Sequence, residues 1–595
     1  MNPSRIVLAL PLLAGLAACN QTVKTETSTA GAPATAGAPA ADTTLAKKPG
    51  WWKETVVYQI YPRSFQDSNG DGVGDLKGVI SRLDYLKSLG VGTVWLNPIY
   101  ASPNDDNGYD ISDYRQIQPE FGTMADFNAL LQGLHQRGIK LVMDVVVNHS
   151  SDEHAWFKSA RSSRTSPYRD YYYWWPAEKG TPPARFSTFD VKNDAWQYDA
   201  PTKSYYLHYF SKKQPDLNWN NPKVRQEVYR MMRFWADKGI DGFRMDAFQF
   251  VAKDPTFPPM PGLTAQNYTN AYNHGPHLHD YLQEMNREVF SKYNLMTVAE
   301  GAGRNPQEAM LFVDPARKEL DMTYHFDAVS IGDKTGKVSL AKLKDVFTKW
   351  EQEFATKGWQ SIYLGSHDQA RIVSRFGDDR PAFRVPSAKL LTTFLLSMHG
   401  TPYCYYGDEL GMTNIRFNSM ADYRDVAARN GYELVKSQGG SLPDYLETLK
   451  IYSRDNGRTP FQWSAAAHAG FTTGSPWLQV NPNYPAVNEA AQDKDPNSIL
   501  NHFRKAIALR QQHKVLIYGQ YRLLDAANPH IYAYTRTLGP EKALVVLNFS
   551  ADAQSWPVPT GLTPSGAPWL NNYPAFAGGP TLALQPWQAV VLPLR

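Results

Sequence analysis

Short apolar runs that alternate with stretches of helical spacing dominate residues 55 to 405 of this 595-residue chain. The runs are rich in β-branched and aromatic residues, which favour strands, and the stretches between them carry apolar residues three and four positions apart. Regular alternation of strand and helix predicts βα units around a parallel sheet, and eight strands predict a closed (β/α)8 TIM barrel, an α/β fold. The predicted strands are Thr55–Tyr61, Gly92–Leu96, Lys140–Val147, Gly242–Asp246, Leu295–Glu300, Met322–Phe326, Ser361–Leu364 and Pro402–Tyr405. The predicted helices are Gly78–Leu89, Met124–Arg137, Pro222–Lys238, Ala341–Lys357 and Ala388–Met398.

Two further units are predicted outside the barrel. Residues 149–218 are rich in Tyr, Trp, Ser and Pro and are too long for a barrel loop, so they predict an inserted subdomain after the third strand, above the barrel mouth. Beyond residue 515 the helical spacing ends and short alternating strands follow, which predicts a C-terminal antiparallel β-domain, a sandwich, over residues 516–595. The barrel itself is then assigned to residues 51–148 and 219–515.

The first fifty residues have the pattern of an export signal followed by a tether. Residues 1–18 hold one early positive charge, Arg5, and an apolar run too short to span a bilayer, as in a signal peptide. The sequence LAAC ending at Cys19 resembles the bacterial lipobox, which implies that Cys19 is lipidated and inserted in a membrane. Asn20 after it implies the outer membrane of a Gram-negative bacterium, facing periplasm or surface. An ordinary signal peptide with a chance cysteine is the alternative. Residues 19–50, mostly Thr, Ala, Gly and Pro, predict a flexible tether.

The charge balance argues against nucleic acid as a partner. The chain holds 61 basic and 57 acidic residues, a net charge of +4, so no strongly basic face is expected.

Its two cysteines, Cys19 and Cys404, exclude a disulfide framework, and Cys404 lies in an apolar run that predicts burial. Aromatic residues make up 13% of the chain, which suits stacking on the flat faces of sugars. A monomer is the favoured oligomeric state.

Polar residues that can carry chemistry fall at the ends of predicted strands. In the strand Gly242–Asp246, the period of two places Arg244 and Asp246 on one face, and the cation favours the ionised carboxylate that a covalent nucleophile needs. Because the carboxyl ends of barrel strands open on one face, these groups are expected to converge in one site. Each has a structural alternative, such as an ion pair closing a strand, a buried histidine or a loop cap. The groups are Asp144, His149, Arg244, Asp246, Glu300, His367 and Asp368.

The segments around these residues resemble those of a known enzyme family. They are similar to the four signature regions of the α-amylase family, glycoside hydrolase family thirteen, and the likeness extends from Trp51 to the C-terminus. Three more segments resemble the oligo-1,6-glucosidase and α-glucosidase branch of that family. The segments that carry the resemblance are Asp144–His149, Gly242–Asp246, Glu300, His367–Asp368, Gln214–Asn218, Ser102–Asp110 and Ser453–Pro460.

The resemblance implies the mechanism of a retaining glycosidase. Asp246 would attack the anomeric carbon to form a β-glucosyl enzyme, and Glu300 would protonate the leaving oxygen and then activate water. Arg244 would keep Asp246 charged, whereas burial at the end of an apolar run would favour the acid form of Glu300. Asp368 would stabilise the transition state. The residues implied to bind sugar are Asp106, Tyr109, His149, Arg244, His367, Arg454 and Arg458, without a choice between the last two.

The expected activity is that of an exo-acting α-glucosidase on maltose and short oligosaccharides. In the resembled branch, a small residue after the nucleophile accompanies α-1,4 substrates and valine accompanies α-1,6 substrates; here the residue is Ala247. An oligo-1,6-glucosidase is one alternative. A sucrose isomerase or transglucosylase is another, because Ser374–Asp379 and Gly411–Asn414 are similar to those enzymes.

A non-catalytic glycan-binding lipoprotein is the alternative from another class of protein. Such relatives usually lose the three acidic residues, and here Asp246, Glu300 and Asp368 are all present. The chain departs from the family pattern at a few positions, which bear on substrate preference more than on reaction class. These positions are Gly365, Ser366, Ala370 and Phe461.

The segment Asp67–Asp75 places oxygen-bearing side chains at alternate positions, with glycines between them. The pattern resembles the start of an EF-hand loop and suits Ca²⁺, although the distal glutamate is missing. The same loop is a calcium site in the resembled branch, which implies a structural ion remote from the chemistry; a solvated polar turn is the alternative. The implied ligands are Asp67, Asn69, Asp71, Asp75 and the Val73 carbonyl.

Overall fold

The structure is a computed structural model that describes residues 50–595, apart from residues 265–266, 274 and 302. The predicted signal peptide, Cys19 and the tether before Gly50 lie outside the described residues. Within the described part, no helix combines the length and the apolar character needed to cross a bilayer.

Eight parallel strands form the barrel that the sequence predicts. The strands are β1 (Val57–Ile60), β2 (Thr93–Leu96), β3 (Lys140–Val146), β4 (Gly242–Asp246), β5 (Met296–Glu300), β6 (Met322–Tyr324), β7 (Ser361–Ile362) and β8 (Thr401–Tyr405). They are hydrogen-bonded in the order β6-β5-β4-β3-β2-β1-β8-β7. A parallel bridge between Thr323 and Gln360 joins the two outer strands and closes the ring. Every strand residue except Lys140 is buried, because helices cover the outside and side chains fill the inside.

The helices around the barrel begin where the sequence supplies caps. Thr123 and Asp126 form a reciprocal capping box, and Asn221 caps a helix that has Pro222 in its first turn. The single helix predicted for residues 78–89 is instead two helices, with Arg82 outside helical geometry at their junction. The α-helices are Leu76–Ser81, Leu83–Leu89, Met124–Gln136, Ala155–Ala160, Pro222–Asp237, Tyr268–Tyr272, Leu278–Met285, Ser291–Tyr293, Pro306–Val313, Leu340–Glu353, Ile372–Phe376, Arg384–Ser397, Val426–Ser437, Leu442–Tyr452, Glu489–Lys494, Ile499–Gln512 and Val515–Tyr518.

The insertion after β3 contains a small antiparallel sheet and packs beside the end of β4. Tyr209 of the insertion stacks on Tyr272 with ring centroids 4.0 Å apart, and Phe250 lies against both rings. These aromatic contacts place the insertion over the segment that follows Asp246. The strands of the small sheet, from one edge to the other, are Trp174–Pro176, Ser204–Leu207 and Trp196–Asp199.

A buried lysine links the insertion to the barrel. Lys253, 4% exposed, donates from Nζ to Asn148 Oδ1 at 2.8 Å and forms an ion pair with Asp216 Oδ2 at 3.2 Å. Asn148 follows β3, Asp216 lies near the end of the insertion, and Lys253 itself follows β4. One cation therefore connects three segments of the chain. The pair is enclosed by the ring of Tyr209, which lies 4.8 Å from Nζ.

The C-terminal strands form an antiparallel domain, as predicted, and the structure shows that it packs on the barrel. Tyr534 contacts Ser397 Oγ at 2.6 Å, and Arg536 donates to the Ser397 carbonyl at 2.7 Å, so both residues reach the helix before β8. The main sheet has the order Gln520–Leu524, Ile531–Leu538, Glu541–Asn548, Ala589–Pro593 and Leu570–Asn571, and a second sheet pairs Gln554–Pro557 with Thr581–Leu584.

Candidate active site

Arg244 lies at the centre of the barrel mouth and joins side chains from four strands. It is 1% exposed. Nη1 donates to Asp144 Oδ1 at 2.7 Å and to Asp246 Oδ1 at 2.5 Å, and Nη2 donates to Glu300. Nε donates to the Tyr324 hydroxyl at 3.0 Å. The parallel register makes this possible, because β4 pairs with β3 and β5 and the four strands open on the same face.

Three carboxyl groups therefore share one guanidinium. Burial raises the pKa of Asp246 well above its usual range; Arg244 opposes this rise and Glu300 adds to it. Burial also raises the pKa of Glu300, again against the effect of Arg244. As expected, Arg244 favours the charged form of Asp246 and burial favours the acid form of Glu300, but burial outweighs Arg244 at Asp246 and the same guanidinium also contacts Glu300. The two carboxyls instead titrate as a pair that retains a proton.

The turn after β4 positions the Glu300 carboxylate. Ala247 has a left-handed backbone, with φ of 43°, and its N–H donates to Glu300 Oε2 at 2.9 Å. Two residues later, the Gln249 amide is oriented to donate to the Gly301 carbonyl at 2.6 Å and to the Glu300 carbonyl at 3.1 Å. The segment that follows Asp246 thus fixes both the side chain and the backbone of Glu300.

Asp368 follows β7 and lies among cationic groups and a histidine. Its Oδ1 accepts from Arg454 Nη1 at 3.0 Å and from Arg458 Nη2 at 3.2 Å, and its Oδ2 lies 3.2 Å from His367 Nε2. Burial opposes ionisation, but His367 and the two arginines more than offset it and hold the pKa of Asp368 below its ordinary value. Asp368 is therefore the permanently charged member of the three acidic candidates.

The tautomer of His367 follows from its neighbours. Gln59 Nε2 lies 2.8 Å from Nδ1 and 2.9 Å from Asn97 Oδ1, so the amide donates to both atoms. Burial lowers the pKa of His367 to about 3, which leaves the ring neutral, with its proton on Nε2 facing Asp368. The Tyr109 ring stacks on the face of the His367 ring, with centroids 5.2 Å apart and planes 8° from parallel.

The geometry separates the two arginines that the sequence left undecided. Arg454 bridges Asp368 and Asp106, at 3.0 Å from each, and its Nε donates to Asp425 at 3.0 Å. Arg458 also reaches Asp368, but its side chain is 1% exposed against 15% for Arg454. Arg454 is thus the arginine that a sugar can reach. Arg458 is more deeply buried and contacts the same carboxylate, Asp368.

Asp106, Tyr109 and His149 lie on the same wall as Arg454. Burial raises the pKa of Asp106 to about 6 in spite of Arg454. His149 Nε2 lies 3.0 Å from the Tyr109 carbonyl and 3.1 Å from Gln214 Nε2, and burial lowers its pKa to about 3. The expected donor from His149 to a sugar is therefore occupied by a backbone oxygen in this conformation.

Across the site, acidic groups outnumber basic ones. The acidic side chains are Asp106, Asp144, Asp246, Glu300, Asp368 and Asp425, and the guanidinium groups are Arg244, Arg454 and Arg458. Protons retained by the buried carboxyls reduce this excess, and the remaining negative field favours a group that develops positive charge.

Sequence reasoning missed three residues that complete the site. Asp425 caps a helix and holds Arg454, Gln59 fixes the tautomer of His367, and Tyr324 accepts from Arg244. No motif surrounds Asp425. For Gln59 on β1 and Tyr324 on β6, the only sequence signal for a place in the site was their inward position on a barrel strand.

A cavity of about 230 Å³ opens beside Glu300, and Arg454 is not among its lining residues. Its walls come from the insertion, the segment after β4, the ends of β5 and β6, and Trp350 of the helix Leu340–Glu353. Ala247 and Glu300 form its inner end. The polar side chains that line the remainder are Thr188, Gln249, Tyr268, Thr269, Asn270, Asn273, Arg304, His325 and Asp327.

The predicted calcium loop is held by hydrogen bonds. Asp67 Oδ1 accepts the N–H groups of Asn69 and Gly70, and its Oδ2 accepts that of Gly72 at 2.8 Å and the Thr472 hydroxyl at 2.5 Å. Asp75 caps the helix that follows. Within the described residues, no group of three or more Asp, Glu, His or Cys side chains is arranged to hold a metal. Three carboxylates do not converge, and any ion there would depend on Asn69 and the Val73 carbonyl as well.

Comparison with known proteins gives matches over almost the whole described chain. The family model described as "Alpha amylase, catalytic domain" matches residues 59–519, and that described as "Maltogenic Amylase, C-terminal domain" matches residues 521–591. The oligo-1,6-glucosidase of Parageobacillus thermoglucosidasius is 51% identical over 558 residues, which cover 92% of this chain and 99% of that protein. The α-glucosidase of Pediococcus pentosaceus is 47% identical, over 84% of this chain and 91% of that protein.

Solved structures show the same architecture. The trehalulose synthase of Pseudomonas mesoacidophila is 45% identical, with a TM-score of 0.89, and the match covers 92% of this chain and all of that one. The isomaltulose synthase of Protaminobacter rubrum is 42% identical, with a TM-score of 0.89 and the same coverage.

Proposed function

The chain belongs to the α-amylase family and is a glycoside hydrolase, and from this premise we propose that it is a retaining, exo-acting α-glucosidase. Its substrates would be maltose and other short oligosaccharides, cleaved at the non-reducing end. The single observation that carries the proposal is the pairing of Asp246 and Glu300 on one guanidinium. A guanidinium that bridges two carboxyls holds them close, which suits the ~5–5.5 Å separation of retaining enzymes better than the ~6.5–9.5 Å of inverting ones.

The proposed reaction uses the proton that the pair retains. In the form of the pair that reacts, the shared proton is on Glu300. Asp246, then ionised, attacks the anomeric carbon as Glu300 gives its proton to the leaving oxygen, which forms a β-glucosyl ester and releases the aglycone. Glu300, now a carboxylate, takes a proton from water, and the water oxygen displaces Asp246. The product keeps the α configuration. Asp368, charged throughout, stabilises the oxocarbenium-like transition states.

Exo action is supported by the wall behind the proposed glucose position. Arg454 ties Asp106 to Asp368, and Phe189 of the insertion lies over its guanidinium at 4.9 Å. These contacts close that wall of the site among the described residues, which supports binding of a terminal rather than an internal glucose. The wall groups would bind the hydroxyls of a terminal glucose.

Linkage preference has two supported candidates. Ala247 lines the cavity beside Glu300, and a small residue there supports α-1,4 bonds. The names of the similar oligo-1,6-glucosidases favour α-1,6 bonds at least as strongly. A sucrose isomerase is a third candidate, favoured by the solved trehalulose and isomaltulose synthases.

A substrate panel tests these candidates. Purified enzyme is incubated with maltose, isomaltose, sucrose and p-nitrophenyl α-glucoside, and products are separated by chromatography. Glucose from maltose supports the α-1,4 proposal, glucose from isomaltose alone supports α-1,6, and isomaltulose or trehalulose from sucrose supports isomerisation. Loss of all turnover in Asp246→Ala would identify the site. Release of β-glucose as the first product would contradict a retaining mechanism.

We also propose that the chain is a lipoprotein anchored through Cys19 in the outer membrane. The lipobox-like sequence at Cys19 supports this proposal. Labelling with a radioactive fatty acid should mark the wild type and leave Cys19→Ser unlabelled. Recovery of wild-type chain without lipid would contradict it.

Structural Ca²⁺ at the loop of residues 67–75 is a further proposal, supported by the spacing of its oxygen-bearing side chains. Addition of Ca²⁺ to chelator-treated enzyme should raise Tm in the wild type and have a smaller effect in Asp71→Ala. The same rise in both proteins would count against the loop.

A further inference from the structure

The cavity beside Glu300 is the space into which the leaving group would extend if the proposed function holds. Glu300 lines its inner end together with Ala247, and the opposite side of the glucose position is closed by Arg454. Its volume of about 230 Å³ suits a single ring. The leaving group of a disaccharide would therefore lie here, against residues from the loop after β4 and from the end of β6.

One side chain of this cavity is both fixed and unpaired. His325 is 6% exposed and stacks on Trp350, with ring centroids 4.2 Å apart and planes 19° from parallel. Phe347 contacts its edge, with ring centroids 5.8 Å apart. Among the described residues, neither ring nitrogen of His325 has a hydrogen-bond partner, and Nδ1 has no exposed surface. The nitrogen available to a ligand is therefore Nε2.

An imidazole held in this way would be costly without a polar partner. Buried polar groups normally find a hydrogen bond, and an unpaired one lowers stability. Asn273, which lines the same cavity, also has an unpaired and buried Oδ1 among the described residues. Both of these unpaired atoms are shielded from the cavity, so a ligand there can pair only with His325 Nε2, to which a ring with several hydroxyls offers donors and acceptors.

We propose that His325 is a specificity-determining residue that hydrogen-bonds a hydroxyl of the leaving-group sugar. The inference rests on the proposed function and adds the residue that distinguishes a sugar aglycone from an apolar one. Burial lowers the pKa of His325 to about 4, with Asp327 opposing, so the ring is neutral at the pH of an assay. The other titratable groups that line the cavity are Glu300, Arg304 and the Tyr268 hydroxyl.

The charged neighbours leave His325 free for this role. Asp327 accepts from Trp350 Nε1 at 2.9 Å, and Arg304, which precedes the helix Pro306–Val313, donates from Nε to Glu308 of that helix at 2.9 Å. Neither group contacts the imidazole within hydrogen-bond distance. A neutral imidazole offers a donor or an acceptor, either of which a sugar hydroxyl can match.

The test is His325→Phe, which keeps the stacking on Trp350 and removes both nitrogens. For disaccharides, kcat/KM should fall by about tenfold, the effect of one lost hydrogen bond of about 1.4 kcal/mol. For p-nitrophenyl α-glucoside, whose leaving group carries no hydroxyl in the bound ring, kcat/KM should change by less than twofold. His325→Gln, which restores a donor and an acceptor, should recover part of the disaccharide activity.

His513→Phe is the matched control, because His513 also stacks on a tryptophan, Trp569, at 3.9 Å, and lies at the C-terminal domain. It should leave the ratio between disaccharide and aryl glucoside unchanged. An equal loss on both substrates in His325→Phe would make His325 a structural residue, and no loss on either would also overturn the inference. In both cases wild-type turnover stays intact, whereas failure of the proposed function would show as a wild type that cleaves no glucoside.

Discussion

At the scale of single residues, Arg244 organises the site. Its five donors form a planar fork, and here that fork reaches Asp144, Asp246, Glu300 and Tyr324. A lysine at the same place has one nitrogen and cannot hold the two catalytic candidates together. The residue therefore sets distances as well as charge.

Arg244→Lys should lower kcat by about 100-fold, because a displacement of about 1 Å between reacting groups has an effect of that size. Steady-state kinetics on p-nitrophenyl α-glucoside measures it. Arg164→Lys is the control, since Arg164 makes a similar fork to Glu178 on the surface. A decrease in kcat of less than threefold in Arg244→Lys would show that the fork is dispensable.

Asp246→Asn should stabilise the fold at alkaline pH and abolish activity. Burial holds the pKa of Asp246 above its usual value, so the folded chain keeps a proton that the unfolded chain releases. Stability therefore falls as pH rises from about 4 through the raised pKa, and asparagine removes that loss. The gain in Tm over wild type should be larger at pH 8 than at pH 4.5.

The control for that measurement is Asp84→Asn, whose side chain is 88% exposed. It should change Tm by a similar small amount at both pH values. Equal shifts at both pH values in Asp246→Asn would contradict the buried, proton-retaining pair.

The acidic candidates could be predicted from sequence because each follows an apolar strand and belongs to a local motif. Asp425 could not, since its partner Arg454 lies 29 positions further along the chain, in a different element. The shared proton of Asp246 and Glu300 also escaped prediction. It depends on one guanidinium contacting both groups, which the period of a strand does not reveal.

At the scale of elements, Lys253 is the link between the insertion and the barrel. It lies in the loop after β4 and contacts Asn148 after β3 and Asp216 near the end of the insertion.

Strand positions were predictable because each barrel strand is buried on both sides and forms a continuous apolar run. The break at Arg82 was not, because that guanidinium contacts Gln66 and lies 3.9 Å from the Trp463 ring, far along the chain.

Lys253→Met should lower the free energy of unfolding by about 3–5 kcal/mol, because it leaves Asp216 charged, buried and unpaired. Urea denaturation measures the change. The double variant Lys253→Met/Asp216→Asn should recover part of the loss. Lys213→Met is the control on the same insertion: its partner Asp152 is 2.9 Å away, but the lysine side chain is 31% exposed, and about 0–1 kcal/mol is expected.

At the scale of the whole molecule, the core of the barrel continues into one face of the C-terminal sheet, while the other face packs in a separate cluster that includes Leu544, Trp556 and Leu582. A single cluster of buried residues runs from the barrel strands to Tyr532, Tyr534 and Val545 of the C-terminal sheet. Arg536 is fully buried at this junction and donates to the carbonyls of Ser397 and Gly519, at 2.7 Å each. The two units should therefore unfold together.

Arg536→Met should lower the free energy of unfolding by about 3 kcal/mol, because two buried carbonyls lose their donor. Calorimetry should still show one transition, at a lower Tm. Arg522→Met, at an exposed position on the neighbouring strand, should change little. Two separate transitions in the wild type would contradict a shared core.

The excess of six carboxyl groups over three guanidiniums has a practical consequence for anyone who handles this enzyme. Protonated amines of sugar size should be attracted to the place where a glucosyl cation would form, so we expect amine buffers to compete with substrate. Inhibitor chemistry for this molecule should start from a basic nitrogen in place of the anomeric carbon.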